Sequence, residues 1–216
     1  MESRTQKVVI SGEAYDFVKE HTRKAGKEWD CVTRKDQNDY TRGLGGNDGA
    51  YNYPAHLGIV GEMAFAAVTG LPMQSTGYRK NGDGGHDFVI KGVNGVPLNV
   101  DVKLTGTNRI RIKVEQYGRR CQLKSDIYIG ARLITPRRLL YRDSVEIEFY
   151  GFILLSDLRS MPSVPSTKTD KVLNKEILLS ELNDFHTFLQ KGISYGNDFQ
   201  ISGREIEINK LPPATS

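Results

Sequence analysis

Apolar and polar residues alternate most regularly over residues 98–105, LNVDVKLT. Every second residue is apolar, and the residues between them are polar, including Asp101 and Lys103. A period of two is typical of a β-strand with one buried face. The pattern therefore predicts a strand on which Asp101 and Lys103 point in the same direction.

A second strand is predicted just upstream over residues 87–90, DFVI, and we expect it to pair with the first as a hairpin. The Asn-Gly pair at 94–95 is the strongest short turn signal in the chain. A plain two-residue turn there would set apolar residues opposite polar ones, because a one-residue slip exchanges the two faces of a strand. We therefore expect a bulge or a longer loop between residues 92 and 97. With this correction, Asp87 lies across from the charged pair of the next strand.

Helical spacing occurs twice in the first part of the chain. Residues 11–25 have apolar positions at helical spacing, with Ser11 as a cap and Gly26 as a stop. The polar segment over 26–53 is predicted as a long loop. Residues 57–69, LGIVGEMAFAAVT, are apolar around nearly the whole helical circumference, so this helix is expected to be buried.

Glu62 is the charged residue inside the predicted buried helix. An unpaired buried carboxylate is costly, so Glu62 is expected to be ion-paired, to face a metal ion, or to lie at the mouth of a cleft. The alternative is a single exposed stripe on an otherwise packed helix.

Alternation continues after the hairpin. It predicts strands over residues 109–117, 126–134 and 145–155. A connector rich in proline and serine is predicted over 161–170, and a helix over 174–192. The order of helices and strands favours an α/β or α+β fold with a mixed sheet.

Composition is that of a folded globular protein, with 38% hydrophobic and 26% charged residues among 216. The first ten residues, MESRTQKVVI, are charged where a secretory signal needs an apolar core. No stretch approaches the roughly 20 apolar residues of a membrane span. The two cysteines lie far apart and indicate neither a disulfide framework nor a zinc site. We expect a cytoplasmic protein without a membrane partner.

Charge is unevenly distributed along a chain whose formal net charge is +4. Ten basic and two acidic residues lie between residues 104 and 142, a local excess of eight positive charges. Clustered arginine and lysine suit a polyanion, most often a phosphate backbone, and a solvated basic face is the alternative. The candidates for nucleic-acid binding are Arg109, Arg111, Lys113, Arg119, Arg120 and Lys124.

Asp87 and Asp101 bring two carboxylates together on neighbouring predicted strands. They repel each other unless a cation joins them. Hard oxygen ligands with room for water suit Mg²⁺, for which Mn²⁺ can substitute. Such an ion polarises a phosphoryl oxygen and lowers the pKa of a bound water, while Lys103 can stabilise the developing negative charge.

Asp87 followed by Asp101-Val102-Lys103 resembles the PD-(D/E)xK nuclease superfamily, which has the restriction-endonuclease-like fold. Glu62 matches a glutamate that often joins this site from the helix before the core hairpin. The later strands occur in the expected order, the last continuing into a short helix, and the resemblance covers roughly residues 55–160. His86 stands where the family name has proline.

The resemblance implies an α/β fold with a restriction-endonuclease-like core, in which helices flank a mixed central β-sheet. It implies a metal-dependent nuclease that hydrolyses phosphodiester bonds in DNA, and an endonuclease rather than an exonuclease. Mg²⁺ would be held by Glu62, Asp87 and Asp101, and these residues would be catalytic together with Lys103. Double-stranded DNA is the expected partner, and a homodimer would supply the two sites needed to cut both strands.

The expected organisation is one compact domain with four parts. These are an N-terminal helix and polar loop region (1–54), the nuclease core (55–160), a C-terminal helical extension (161–210) and a disordered tail (211–216).

Two other interpretations of the charged residues stay open. In the first, the charged residues form a surface salt bridge on an exposed strand face, which involves Asp87, Asp101 and Lys103. In the second, the protein is a nucleic-acid-binding module that keeps this fold without cleaving. An intact set of two acids and a lysine argues against the second, because a cluster of this kind is costly to keep without catalytic use.

Overall fold

The computed structural model describes residues 5–30, 53–73, 86–136, 140, 143–166, 169–199 and 205–211. Within these ranges the helices are α1 (Gly12–Asp30), α2 (Tyr53–Thr69), α3 (Leu155–Ser160) and α4 (Phe185–Ser194). The strands are β1 (Gln6–Ser11), β2 (Phe88–Lys91), β3 (Pro97–Thr105), β4 (Arg109–Gln116), β5 (Arg119–Arg120), β6 (Ile127–Leu133), β7 (Ser144–Leu154), β8 (Val164–Ser166), β9 (Thr169–Leu178), β10 (Asn183–Asp184) and β11 (Glu205–Ile208).

The strands form two sheets. The central sheet has the order β11-β1-β7-β6-β3-β2, and β10 also pairs with β7. It is mixed, because β1 and β11 are parallel, β3 and β6 are parallel, and the other neighbours are antiparallel. The smaller sheet has the order β5-β4-β9-β8 and is antiparallel. The chain is therefore an α/β protein with a mixed central sheet, as expected.

Helices α1, α2 and α4 pack on one face of the central sheet and enclose the larger apolar core. A group of phenylalanines fills this core, in which the ring of Phe65 contacts those of Phe88, Phe149, Phe185 and Phe188. Helix α2 has apolar residues on nearly all sides and is buried, as its sequence predicts. In the described part of the chain, no helix has the length and apolar content required to cross a membrane.

The other face of the central sheet is covered mainly by the smaller sheet rather than by long helices. A second apolar cluster joins Ile110 and Ile177 of the smaller sheet to Tyr128 and Ile153 of the central one, with Leu158 of α3 beside them. Alternation along each strand produces the two clusters, because Ile127 and Ile129 face the helices while Tyr128 faces the smaller sheet.

The N-terminal region contains a strand that the sequence analysis did not predict. Residues 6–11 form β1, so Ser11 ends a strand instead of capping a helix, and α1 continues past Gly26 to Asp30. Helix α2 begins at Tyr53, before the predicted start. Residues 31–52 of the predicted loop lie outside the described residues.

The helix predicted over 174–192 is wrong in its first half. Residues 169–178 form β9, which pairs with β4, and α4 begins only at Phe185. The apolar residues of this strand, Val172, Leu173, Ile177 and Leu178, do not alternate, so the sequence pattern gave no strand signal, and pairing with β4 makes the segment a strand. The side chain of Asp184 caps α4 by accepting a hydrogen bond from the His186 amide at 2.9 Å.

Two further strands lie in the segment expected to be a helical extension. Strand β8 falls within the predicted connector, and β11 pairs in parallel with β1 at the far edge of the central sheet. Both sheets thus combine strands from before and after residue 160. Of the predicted tail, residues 212–216 lie outside the described residues.

Candidate active site

The hairpin formed by β2 and β3 has the register that matches its apolar faces. Phe88 pairs with Val100 and Lys91 pairs with Pro97, which leaves a five-residue loop, 92–96, between the strands. The Gly92 amide donates to the Val96 carbonyl at 2.7 Å and closes the loop. The longer loop predicted from the hydrophobic pattern is confirmed.

Asp87 lies immediately before β2, which is the last strand on this side of the central sheet among the described residues. Its amide donates to the Val100 carbonyl at 2.9 Å, and its Oδ2 accepts from the Val102 amide at 2.7 Å. The side chain thus takes the place of a strand partner for β3. Continuing the register by one residue sets Asp87 beside Asp101, as the sequence predicts.

Asp101 and Lys103 lie on the same face of β3 and form an ion pair, with Lys103 Nζ 2.6 Å from Asp101 Oδ1. The Asp101 side chain is 14% exposed and that of Lys103 is 36% exposed, so both reach solvent. On the other side of β3, the parallel register sets Tyr128 of β6 next to Asp101.

Glu62 approaches from the helical face of the sheet because α2 packs very closely on β3. A Cβ atom at Gly61 would lie 3.2 Å from Leu104 Cβ and 3.3 Å from Val102 Cγ1, so a larger residue there would push the helix away. Glu62 Oε1 lies back over the preceding turn, 3.9 Å from where a Cβ of Gly58 would be. The Glu62 carboxylate, from the helical face, and Asp101, from the opposite face, both raise the pKa of Asp87.

Ionisation of Asp87 is unfavourable beside the carboxylates of Glu62 and Asp101. Burial, followed by the nearby charges of Glu62 and Asp101, raises the pKa of Asp87 from 3.8 to about 9. The Val102 amide and Lys103 oppose this rise but do not cancel it. This environment favours the protonated form of the Asp87 carboxyl at neutral pH.

The same surroundings favour the charged form of Lys103, whereas they disfavour the charged form of Asp87. Burial alone would lower its pKa, but the charge of Asp101, the hydrogen bond between them and the charge of Asp87 outweigh burial, so the pKa is raised. The ammonium group is thus held in its charged form beside Asp101.

The carboxylates have the chemistry of a site for a hard divalent cation, because they offer only oxygen ligands and are short of positive charge. Among the described residues, however, no three histidine, cysteine, aspartate or glutamate side chains lie close enough together to form a ready-made metal group. Glu62, Asp87 and Asp101 interact electrostatically, and Asp101 is engaged by Lys103. Side-chain movement would therefore accompany ion binding.

A cleft of about 280 Å³ opens over the Asp101 and Lys103 face of β3. Its walls come from β3, β6, β4 and the segment after β5, and four of its lining residues are cationic. The lining residues are Asp101, Lys103, Arg111, Ile112, Lys113, Gln122, Leu123, Lys124 and Tyr128.

Three of the residues predicted to bind nucleic acid line this cleft, namely Arg111, Lys113 and Lys124. The others do not. Arg109 is exposed and bonds Glu176 at 3.0 Å, and Glu176 also bonds Arg111 at 2.7 Å. Arg119 and Arg120 form the exposed strand β5, at the tip of the hairpin that β4 and β5 make.

Tyr128 is a cleft residue that the sequence analysis did not select. Burial and then the charge of Asp101 raise its pKa, so its hydroxyl stays neutral beside the acidic residue. Its place in DIYIGARLI, between Ile127 and Ile129, marks it as facing away from the main core. The parallel pairing of β6 with β3, which brings it to Asp101, has no short-range sequence signal.

Comparison of the chain with models of protein families, with curated proteins and with solved structures found no match.

Proposed function

We propose that this protein is a metal-dependent nuclease that hydrolyses phosphodiester bonds in DNA, acting as an endonuclease of the PD-(D/E)xK type. One observation carries the proposal. Asp87, Asp101 and Lys103 meet at the end of the central sheet that β2 and β3 form, where the Asp101 and Lys103 face opens into a cleft lined by further cations. A phosphate is the group that such a cleft attracts, and its hydrolysis is the reaction that the acidic pair and lysine suit.

The acidic residues would hold Mg²⁺, for which Mn²⁺ would substitute. Asp87 and Asp101 would be direct ligands, and Glu62 would complete the shell or hold a water molecule. When bound, the ion would polarise a phosphoryl oxygen and lower the pKa of a coordinated water. The raised pKa of Asp87 supports this assignment, because Glu62 and Asp101 disfavour a further negative charge there and a bound cation would relieve that repulsion.

Lys103 would stabilise the charge that builds up on the phosphoryl group. Asp101 fixes the Lys103 ammonium 2.6 Å from its own carboxylate and raises its pKa, so Nζ stays protonated at neutral pH. A fixed ammonium in a partly buried site stabilises a developing anion better than one in bulk water does.

Arg111, Lys113 and Lys124 would hold the DNA backbone on either side of the scissile phosphate. All three line the cleft together with Lys103. Contacts of this kind position the substrate without reading its sequence, and they make binding strongly dependent on salt.

A nucleic-acid-binding module without catalytic activity is the second candidate. The hydrogen bond from the Val102 amide to Asp87 favours it, because this bond gives the carboxyl a structural role at the sheet edge. The ion pair of Asp101 and Lys103 also satisfies both groups without a metal ion.

Cleavage of supercoiled plasmid and of single-stranded DNA tests the proposal. The purified protein is assayed in Mg²⁺, in Mn²⁺ and in EDTA, with Lys103→Ala and with Lys191→Ala as the matched control. Lys191 is an exposed residue of α4, on the helical side of the sheet. We expect cleavage only with a divalent ion and a rate about 10²- to 10³-fold lower for Lys103→Ala.

Cleavage that persists in EDTA would contradict a metal-dependent mechanism, and cleavage that is equal in the two lysine variants would contradict the catalytic role of Lys103. Salt-dependent DNA binding without cleavage of either substrate would select the binding module instead.

A further inference from the structure

The hairpin of β4 and β5 ends in a turn with an unusual residue. Gln116 pairs with Arg119, so Tyr117 and Gly118 form a two-residue turn. Both have positive φ, 51° for Tyr117 and 74° for Gly118. This is the pattern of a type I′ turn, which favours asparagine or glycine at its first central position. A bulky aromatic residue in this left-handed conformation is rare.

The Tyr117 ring is not used in packing. The residue is 67% exposed, the largest value among the exposed large hydrophobic residues of the described chain. The Tyr117 amide donates a hydrogen bond to the Lys171 carbonyl at 2.7 Å, which joins the turn to β9 through the backbone. An asparagine would make the same backbone contacts with less strain, so the folded chain has no need of the ring.

The charge around the turn is positive on balance, because Glu115, which pairs with Arg120, is outnumbered by basic residues. Arg119 and Arg120 follow it on β5 and are exposed, and Lys113 precedes it on β4. The chain then returns along the cleft wall through Gln122 and Lys124. A basic strip therefore connects the candidate active site with the exposed ring, which lies about 13 Å beyond Lys113 along the strand.

We propose that Tyr117 stacks on an unpaired base of a nucleic acid whose backbone follows this strip out of the cleft; the inference rests on the proposed function. An exposed aromatic ring beside arginine and lysine is the combination that binds single-stranded segments, because each base offers a face for stacking and each phosphate a charge. The span from Lys113 to Tyr117 corresponds to a few nucleotides. Tyr117 is thus a binding residue outside the catalytic set.

Binding of two strands that differ only in their bases tests the proposal. One is a fluorescein-labelled oligothymidylate, and the other has the same length and charge but carries abasic tetrahydrofuran residues. Fluorescence anisotropy in EDTA gives the affinities of the wild type, Tyr117→Phe and Tyr117→Asn without cleavage. Phenylalanine keeps the ring, whereas asparagine keeps the turn and removes the ring.

We expect the wild type and Tyr117→Phe to bind the thymidylate strand about 5- to 150-fold more tightly than the abasic strand. Tyr117→Asn should lose this preference, keep the affinity for the abasic strand and unfold at the same or a higher temperature. Its salt dependence should not change, because no charge is removed.

Equal affinity of the wild type for both strands, or an unchanged preference in Tyr117→Asn, would overturn the stacking role while leaving the nuclease assignment intact. Absence of binding to either strand at low salt, together with absence of metal-dependent cleavage, would overturn both proposals. Metal-dependent cleavage by the wild type, measured alongside, separates these two failures.

Discussion

The two faces of the central sheet are built on the same strands but for different purposes. On the helical side, Val100 and Val102 of β3 pack into a closed apolar core with Phe65. On the other side, Asp101 and Lys103 alternate with them and open into a charged cleft. The first face gains stability from burial. The second brings the Asp101 carboxylate close to Asp87 and gathers four cationic side chains around one cleft, and each group of like charges costs stability.

This difference gives opposite expectations for substitutions on the two sides. Removing a side chain from the helical face should weaken the fold without a direct effect on the chemistry of the cleft. Neutralising Asp87 at the sheet edge should strengthen the fold and abolish the proposed activity.

Phe65→Ala should have the largest effect on stability. Phe65 is fully buried and its ring contacts four other phenylalanines. Its loss should lower the free energy of unfolding by about 3–5 kcal/mol, because the rigid surroundings leave a cavity. Urea denaturation measures the change. A loss below about 1 kcal/mol would mean that the phenylalanine core is loosely packed.

Asp87→Asn should act in the opposite direction. The pKa of Asp87 is raised from 3.8 to about 9, so between these values the folded state holds a proton that the unfolded state has released. Stability therefore falls as the pH rises from 3.8 toward 9. Asparagine does not ionise, and its amide oxygen can still accept the hydrogen bond from Val102.

We expect Asp87→Asn to be more stable than the wild type by an amount on the order of 3 kcal/mol at pH 7 in EDTA. Added Mg²⁺ should stabilise the wild type and leave the variant unchanged. Urea denaturation across the pH range checks both statements, and a less stable variant at pH 8 would show that Asp87 is an ordinary structural carboxylate.

His56 provides a smaller effect on the helical side. It is fully buried between α1 and α2, with Nδ1 3.5 Å from Thr22 Oγ1 and its ring 6.0 Å from that of Tyr15. Because the Thr22 hydroxyl donates to the Val18 carbonyl, the imidazole is the donor in its contact with Thr22. Burial lowers the pKa of His56 from 6.5 to about 4.

The unfolded state therefore binds a proton before the folded state does as the pH falls below 6.5, and stability is lost down to about pH 4. Between pH 7 and pH 5 this loss should be about 2 kcal/mol. In His56→Asn the overall stability should be lower but this part of the pH dependence should disappear. An identical pH dependence in both proteins would assign the acid sensitivity to other groups.

The local sequence pattern was sufficient to predict which side chains of an element are buried and which are exposed. Alternation in β3 predicted the common face of Asp101 and Lys103, and parity of the faces predicted the longer loop before Pro97. The all-apolar surface of α2 predicted its burial. These features depend on residues close together in the chain, which is where periodicity is informative.

Pairing between strands far apart in the chain determined the elements that the local sequence pattern did not predict. Residues 174–178 became strand because β4 was available as a partner, and β1 and β11 pair with each other from opposite ends of the chain. The cleft also depends on such pairing, since β6 brings Tyr128 to Asp101. The sequence also does not indicate which basic residues face the cleft. Arg109 forms an ion pair with Glu176, whereas Lys124 lines the cleft.

Calorimetric titration of Mn²⁺ and Mg²⁺ into the wild type and Asp101→Asn is the most direct test of the charged sheet edge. Measurements at pH 7.5 in two buffers of different ionisation enthalpy give both the affinity and the protons exchanged. We expect the wild type to bind the ion with release of about one proton, from Asp87, and Asp101→Asn to lose this binding. Absence of binding at millimolar metal, or equal binding by the variant, would contradict a metal-dependent site.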